Sequence, residues 1–374
     1  MNRTIGIIFG NRRSNFLQGI DKNRPLAVVP FGGRYRLLDF ALSSMVNSGI
    51  RTVGIITPSH YRPILNQLGA GKEWMLDRKS GGLFILPGIN QGIAGWESLF
   101  LLKDLAKNIE YLENDFSEYV VLCGCNQIFN IDYNEAIVFH ELSMADVTFI
   151  YKDIEKEGQK SLTGTYLKML ADGKVCGFMT DEEIFELAGL LPVFIDMVII
   201  NRKLLMEIVA GYESIENIGL LDVLIENKQV LSIFGFPYKG YFARIESVSD
   251  YFQCNMDLLN LDVRKELFWG TNRVYTKIRD NPPTRYSGKT LVRNSLVASG
   301  CNIMGVLENS IISRSVQIAD NTQIKNSIIM KKCDIGKGVI LENVIMDKYV
   351  IIKEGTVLKG QEQAPIVVNK SAVV

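Results

Sequence analysis

The last part of the chain repeats itself, and few folds accept such a repeat. GluAsnSerIleIleSer (Glu308–Ser313), LysAsnSerIleIleMet (Lys325–Met330) and GluAsnValIleMetAsp (Glu342–Asp347) follow one another at steps of 17 residues, and Ile318, Ile335 and Ile352 keep the same step. Short apolar triplets between Asn, Asp and Gly turns bury little by themselves. Stacked on one another they share one core, as a β-helix requires. The near-hexapeptide substructure, three short faces per coil, predicts the left-handed type. Hexapeptide coils often carry acyl transfer on a histidine, but none follows His140.

The first part is built differently. Thr4–Phe9 and Arg51–Thr57 are apolar runs rich in isoleucine and valine, and between them Leu38, Leu42, Met45 and Val46 share one helical face, with Gly49 placed to end the helix. A strand–helix–strand unit of this kind predicts parallel strands covered by helices. Ligands of such sheets sit beyond the carboxyl ends of the strands, which places the chemistry after Phe9, in the long connection from Gly10 to about Pro30. Further strands are expected at Leu83–Leu86, Tyr119–Cys123 and Asp146–Tyr151, a helix at Glu97–Leu112 from its apolar spacing, and another at Glu246–Leu261. The expected fold is α/β: a Rossmann-like nucleotidyltransferase domain with a mainly parallel sheet over residues 1–262, a turn-rich linker over 263–289, and a C-terminal left-handed parallel β-helix over 290–374.

With 374 residues, 47% of them apolar, the chain can bury two cores. Lys plus Arg and Asp plus Glu both number 41, so no overall field draws it to nucleic acid or anionic membrane. The apolar start is too short for a signal peptide, and no run reaches the roughly 18 to 20 residues of a membrane span; a cytoplasmic protein is expected. Six scattered cysteines include the pair Cys123 and Cys125, which needs two more ligands to hold a metal and is expected to be buried thiol. Two histidines, His60 and His140, supply a His-based metal site or a catalytic triad poorly.

PheGlyGlyArgTyrArg (Phe31–Arg36), LeuLeuAspPheAlaLeuSer (Leu37–Ser43) and AsnSerGlyIle (Asn47–Ile50) together closely resemble the ADP-glucose pyrophosphorylase (glucose-1-phosphate adenylyltransferase) family. Its members make ADP-glucose and pyrophosphate from ATP and glucose 1-phosphate for glycogen or starch synthesis. The resemblance implies the two domains above, and it also exposes departures. The family's glycines in the phosphate loop fall on Asn11, Arg12 and Ser14, its loop arginine on Phe16, and its nearby lysine on Leu26. Glycine there lets the backbone approach the phosphates. Arg12 and Arg13 could still attract an anion, but solvent-exposed arginines are the expectation.

The family's two Mg²⁺-binding aspartates fall on Cys125 and Arg244. Formal charge at the metal position thus moves from −2 to +1, and one positive charge at ~4 Å opposes a divalent ion by up to about 8 kcal/mol in an effective dielectric near 20. The sugar-phosphate lysine falls near Asp181, in an acidic run. Losing three sub-sites while both domains keep their periodicity resembles the GlgD-type subunit, a non-catalytic companion. The resemblance implies a catalytic GlgC-type partner in a mixed oligomer (a tetramer), Mg²⁺ held by that partner and not strongly by this chain, and a role in regulating glycogen biosynthesis. It also implies an effector site for phosphate or a sugar phosphate at Arg24 and Arg36, the surviving basic positions around the PheGlyGly turn. The alternative for these two is a solvated Arg24 and an Arg36 that packs at the helix start. The alternatives for the whole chain are a weakly active adenylyltransferase and a stand-alone sugar-phosphate or nucleotide sensor.

Overall fold

The computed structural model describes residues 3–12, 16–22, 24–89, 100–155, 164–212, 217–288 and 290–374. Seven strands form the main sheet: β1 (Thr4–Phe9), β2 (Thr52–Thr57), β3 (Gly82–Pro87), β4 (Tyr119–Gly124), β5 (Val147–Glu155), β6 (Leu190–Asn201) and β7 (Ile233–Pro237). Their order is β7-β5-β6-β4-β1-β2-β3. Neighbours are parallel except β6, which runs antiparallel to both β4 and β5. The strands at the centre read as continuous apolar runs because helices cover both faces. Ile8, Val121 and Ile199 pack in one apolar layer, and Ile7, Leu122 and Val198 in the other.

Helix α1 (Leu37–Asn47) carries Leu38, Leu42, Met45 and Val46 into the first layer. The expected helix over Glu97–Leu112 is broken instead: Leu102–Ala106 and Ile109–Glu113 are separate helices, and Glu97–Leu99 lie outside the described residues. The break falls at Asn108, whose side-chain amide donates to the carbonyls of Pro87 (3.1 Å) and Asp104 (2.7 Å). Apolar spacing continues across it because both short helices bury leucine against the same layer. Glu246–Leu261 is likewise shorter than expected: one helix spans Val248–Asp257, and Asn260 caps another at Leu261–Arg264.

Three parallel five-stranded sheets make the left-handed β-helix. Its first strand, Arg285–Tyr286, lies within the expected linker and pairs with Asn302–Ile303. A two-residue strand carries little periodicity of its own, so pairing defines it. Ile303, Ile318, Ile335 and Ile352 stack inside one face, Leu307, Ile324 and Leu341 inside the next. Asn294, Asn309, Asn326 and Asn343 occupy one corner with φ between +39° and +52°, a region Asn tolerates better than most residues.

The β-helix packs on the first domain through a shared apolar cluster in which Leu26, Phe31, Leu37 and Phe40 meet Ile311, Ile328 and Ile345. The turn before α1 passes close to the coils: a Cβ on Gly33 (φ +72°) would lie 3.2 Å from the Ile312 carbonyl oxygen. Glycine at this point therefore serves both a left-handed turn and a tight approach. Among the described residues, no helix is long and apolar enough to cross a membrane.

Candidate functional site

Two places bear on function: the cleft beyond the ends of β1 and β4, and a cavity between the domains. In the cleft, the start of the loop after β1 is tied to the helix Leu102–Ala106. Asn11 is buried and donates through Nδ2 to Asp104 Oδ2 at 2.7 Å, while Asp104 Oδ1 accepts the Ile89 N–H at 2.6 Å. Burial pushes the Asp104 carboxyl up, and those two hydrogen bonds pull it partly back. Phe16 and Leu26 belong to the apolar cluster under the β-helix, where a cation at Leu26 would have to be desolvated. Arg12 is not the solvated arginine expected, because it pairs with Glu246 at 3.1 Å and is only 18% exposed. Arg13 and Ser14 lie outside the described residues.

Where the resemblance puts the two metal-binding aspartates, the chain has a guanidinium and a thiol, Arg244 and Cys125. Arg244 lies on a two-residue strand paired with Gln127–Ile128. Its Nη2 donates to the Phe194 carbonyl at 2.6 Å and lies 3.2 Å from Asp196 Oδ1. Gln127 Nε2 donates to the other Asp196 oxygen at 2.6 Å. The register of β6 shifts between Phe194 and Met197, and Asp196 there has φ +53°, so the bulge turns its carboxylate toward Arg244. Cys125 is buried, and burial pushes its thiol up to about 12, leaving it neutral and a poor ligand. These residues do not fit a divalent ion: one carboxylate is already neutralised and the other position is a neutral thiol. Among the described residues, no three His, Cys, Asp or Glu side chains come together as a metal site. The repulsion expected from Arg244 is thus offset inside the fold by Asp196. The signal for Asp196 was its position, the sole charge in the strand Leu190–Asn201.

Asp181 begins the helix Asp181–Glu186, where a negative charge suits the first turn. Cys123 and Cys125 are both buried, and His140 is buried on its helix between Thr148 (2.8 Å) and Asn201 (3.4 Å).

The second place is a cavity of about 250 Å³ lined by Arg24, Arg36, Arg279, Lys331, Lys348 and Lys370, together with Gln67 and Tyr349. Arg24 comes from the turn before the first 3-10 helix, and Arg36 sits at the N-cap of α1, its backbone N–H donating to Asp39 at 2.9 Å. The PheGlyGly turn that places Arg36 is pinned by Tyr251, whose hydroxyl donates to the Pro30 carbonyl (2.6 Å), and by Asn255, which accepts the Gly32 N–H (2.9 Å). The structure thus brings Arg24 and Arg36 to one cavity but treats them differently. Arg24 is buried rather than solvated and is ion-paired with Asp347 of the β-helix, which is wholly buried. Among the described residues, Arg36, Arg279, Lys331, Lys348 and Lys370 have no carboxylate within ion-pair distance.

Lys331, Lys348 and Lys370 come from the β-helix, on a corner that also carries Arg314. Arg314, Lys331 and Lys348 stand 17 residues apart, and the pairing of Met346 with Val368 carries the same corner on to Lys370. Coils stack at the spacing of paired strands, about 4.7–4.9 Å, so this is a ladder of like charges. The repeat that revealed the β-helix could have revealed the ladder too, had its polar positions been followed along with the apolar ones. A neighbouring cavity of about 460 Å³ shares Arg279 and adds Arg34, Arg314 and Tyr35. Burial lowers Arg36 to about 10, eased by Asp39 and deepened by Arg24. Lys348 falls to about 6 through burial and then through Arg36, Arg24 and Lys331, against which Asp347 pulls upward. Another opening, of about 1140 Å³ along the outer edge of β3 beside Phe84 and Tyr111, contains none of these residues.

Comparison with known proteins places both domains. Residues 17–159 match the nucleotidyl transferase family, and residues 283–364 match the GlmU-like C-terminal hexapeptide family. Over 372 residues the chain is 35% identical to the glycogen biosynthesis protein GlgD of Geobacillus stearothermophilus, covering 100% of this chain and 97% of that protein. It is 31% identical to GlgD of Bacillus subtilis (87% and 83% covered). It is 30% identical to a glucose-1-phosphate adenylyltransferase of Pseudothermotoga lettingae (87% and 77% covered).

Proposed function

Because the chain belongs to the family of GlgD and glucose-1-phosphate adenylyltransferases, we propose that it serves glycogen biosynthesis as a catalytically deficient, regulatory subunit of an ADP-glucose-forming enzyme. Arg244 carries this reading: a guanidinium bonded to the Phe194 carbonyl and paired with Asp196 stands where the chemistry needs a metal-binding carboxylate. Transfer of a nucleotidyl group depends on charge stabilisation at the phosphates, which a divalent ion supplies in this family. The loop after β1 adds to the loss, since Asn11 fills it with a buried side chain held by Asp104.

What the chain keeps is the cationic cavity. Unpaired arginines and lysines around about 250 Å³ suit a phosphate or sugar phosphate, and Arg36 can hold phosphate oxygens with both arms of its fork. The cavity joins the linker and the β-helix to the turn that leads into α1, so an anion held there ties the domains together. The subunit would act on a catalytic GlgC-type partner in a mixed oligomer, with Mg²⁺ held by the partner.

Pyrophosphate release from ATP and glucose 1-phosphate tests the reading when measured for this chain, the partner and the mixture. The expected result is no turnover by this chain and an altered phosphate response in the mixture. Turnover by this chain alone at the rate of the partner would overturn it.

A further inference from the structure

The cationic cavity is overcharged when empty, and one of its members can shed charge. Lys348 is half-buried on the corner of a β-helix coil. Its own corner supplies Asp347, which is already paired with Arg24. The adjacent coils supply Lys331 and Lys370, the linker Arg279, and the turn before α1 Arg24 and Arg36; helix Arg62–Leu68 contributes the uncharged Pro63, Asn66 and Gln67. Asp347, already paired with Arg24, and Asp39, which lies beside Arg36 and accepts from Gln67 Nε2, are thus set against six cationic side chains. A guanidinium stays charged at any ordinary pH, so relief falls to the lysines. Lys348 has the strongest cause to give up its proton, because burial, both arginines and Lys331 all act against its charge, whereas the Tyr349 ring beside Lys331 offers that ammonium a cation–π contact at 5.7 Å.

We infer that the cavity binds its anion together with a proton, taken up from solvent on the Lys348 amine, so that occupancy depends on pH as well as on anion concentration. This rests on the anion-site reading given above. The balance is simple: the amine gains one proton and becomes an ammonium, and the bound anion supplies the counter-charge missing from the empty site. Below the pH at which the empty site's Lys348 titrates, the ammonium is already present and affinity is flat. Above it, each anion bound brings one proton, so affinity falls about tenfold per pH unit until the occupied site's own Lys348 loses its proton. A solvated lysine would give no slope between pH 7 and 9.

Sulfate is the probe, because it keeps both charges across this range and any proton taken up belongs to the protein. Calorimetric titration of the full chain with sulfate, at constant ionic strength and in two buffers of different ionisation enthalpy, counts protons per anion. The expected result at pH 8 is uptake of about one proton, with about a tenfold loss of affinity per unit from pH 7 to 9. Lys348→Arg should bind sulfate with no uptake and a flat profile, and Lys348→Met should bind more weakly with no uptake. Sulfate binding to the parent chain without proton uptake overturns the inference, as does uptake that survives in both variants. If sulfate does not bind, or binds unchanged in Arg36→Ala combined with Lys331→Ala, the anion site itself is refuted and the proton linkage with it.

Discussion

Truncating Asp347 to alanine tests the ion pair that joins the two domains. Arg24 and Asp347 have 6% and 0% of their side chains exposed, and they come from residues 323 apart in sequence. Asp347→Ala removes the carboxylate paired with Arg24 and leaves that guanidinium buried beside Arg36 and Lys348. Losing one partner of a buried pair costs about 3–5 kcal/mol, because the remaining charge is desolvated and uncompensated. At about 1.4 kcal/mol per decade, that is two to three and a half orders of magnitude in the folding equilibrium. Urea unfolding followed by circular dichroism measures the change. Arg24→Met combined with Asp347→Leu should recover most of the loss, since an apolar pair of similar volume needs no counter-charge. Sulfate should rescue the single variant as well: at 100 times its dissociation constant, a ligand of the folded state contributes about 2.7 kcal/mol. A loss below 1 kcal/mol, or a double variant no more stable than the single one, would show that the pair is solvated and the argument wrong.

Three further outcomes are expected. Cys125→Asp with Arg244→Asp should bind Mg²⁺ more tightly by calorimetry yet make almost no ADP-glucose, because Asn11 still fills the loop after β1; near-full activity from these two changes would refute the role given to the loop. Gly33→Ala should lose about 1–3 kcal/mol in urea unfolding, from a left-handed φ and a Cβ 3.2 Å from the Ile312 carbonyl oxygen, whereas Gly49→Ala, with open space around it, should lose less. In anion-free buffer, Lys348 should make stability rise from pH about 6 to about 8, by at most ~1.4 kcal/mol per unit; above that, the thiols of Cys123, Cys125, Cys254 and Cys333, raised by burial, act in the opposite sense. The sign follows from Lys348: its folded value lies below its unfolded one, so the unfolded chain holds a proton that the folded chain lacks. Lys348→Met should flatten that rise, and an unchanged slope in unfolding experiments would exclude Lys348 as its source.

The sequence by itself determined whatever rests on local periodicity. The 17-residue step marked the β-helix before any coil was seen, because each coil buries the same positions against its neighbours. Apolar runs alternating with a helical face marked the sheet, and the run from Phe31 to Ile50 marked the family. The same periodicity misled where a turn interrupts it without changing which side is buried, as at Asn108. Side-chain partners were decided only by the tertiary structure. Arg12 was expected in solvent and found with Glu246; Arg24 is neither free for an anion nor solvated but paired with Asp347. Arg244 was expected to stand against a divalent ion and instead has Asp196. The physical reason is common to all three. A charge set by sequence acquires its effect from the charge beside it and from the water excluded around it, and both come from segments that meet only when the chain has folded.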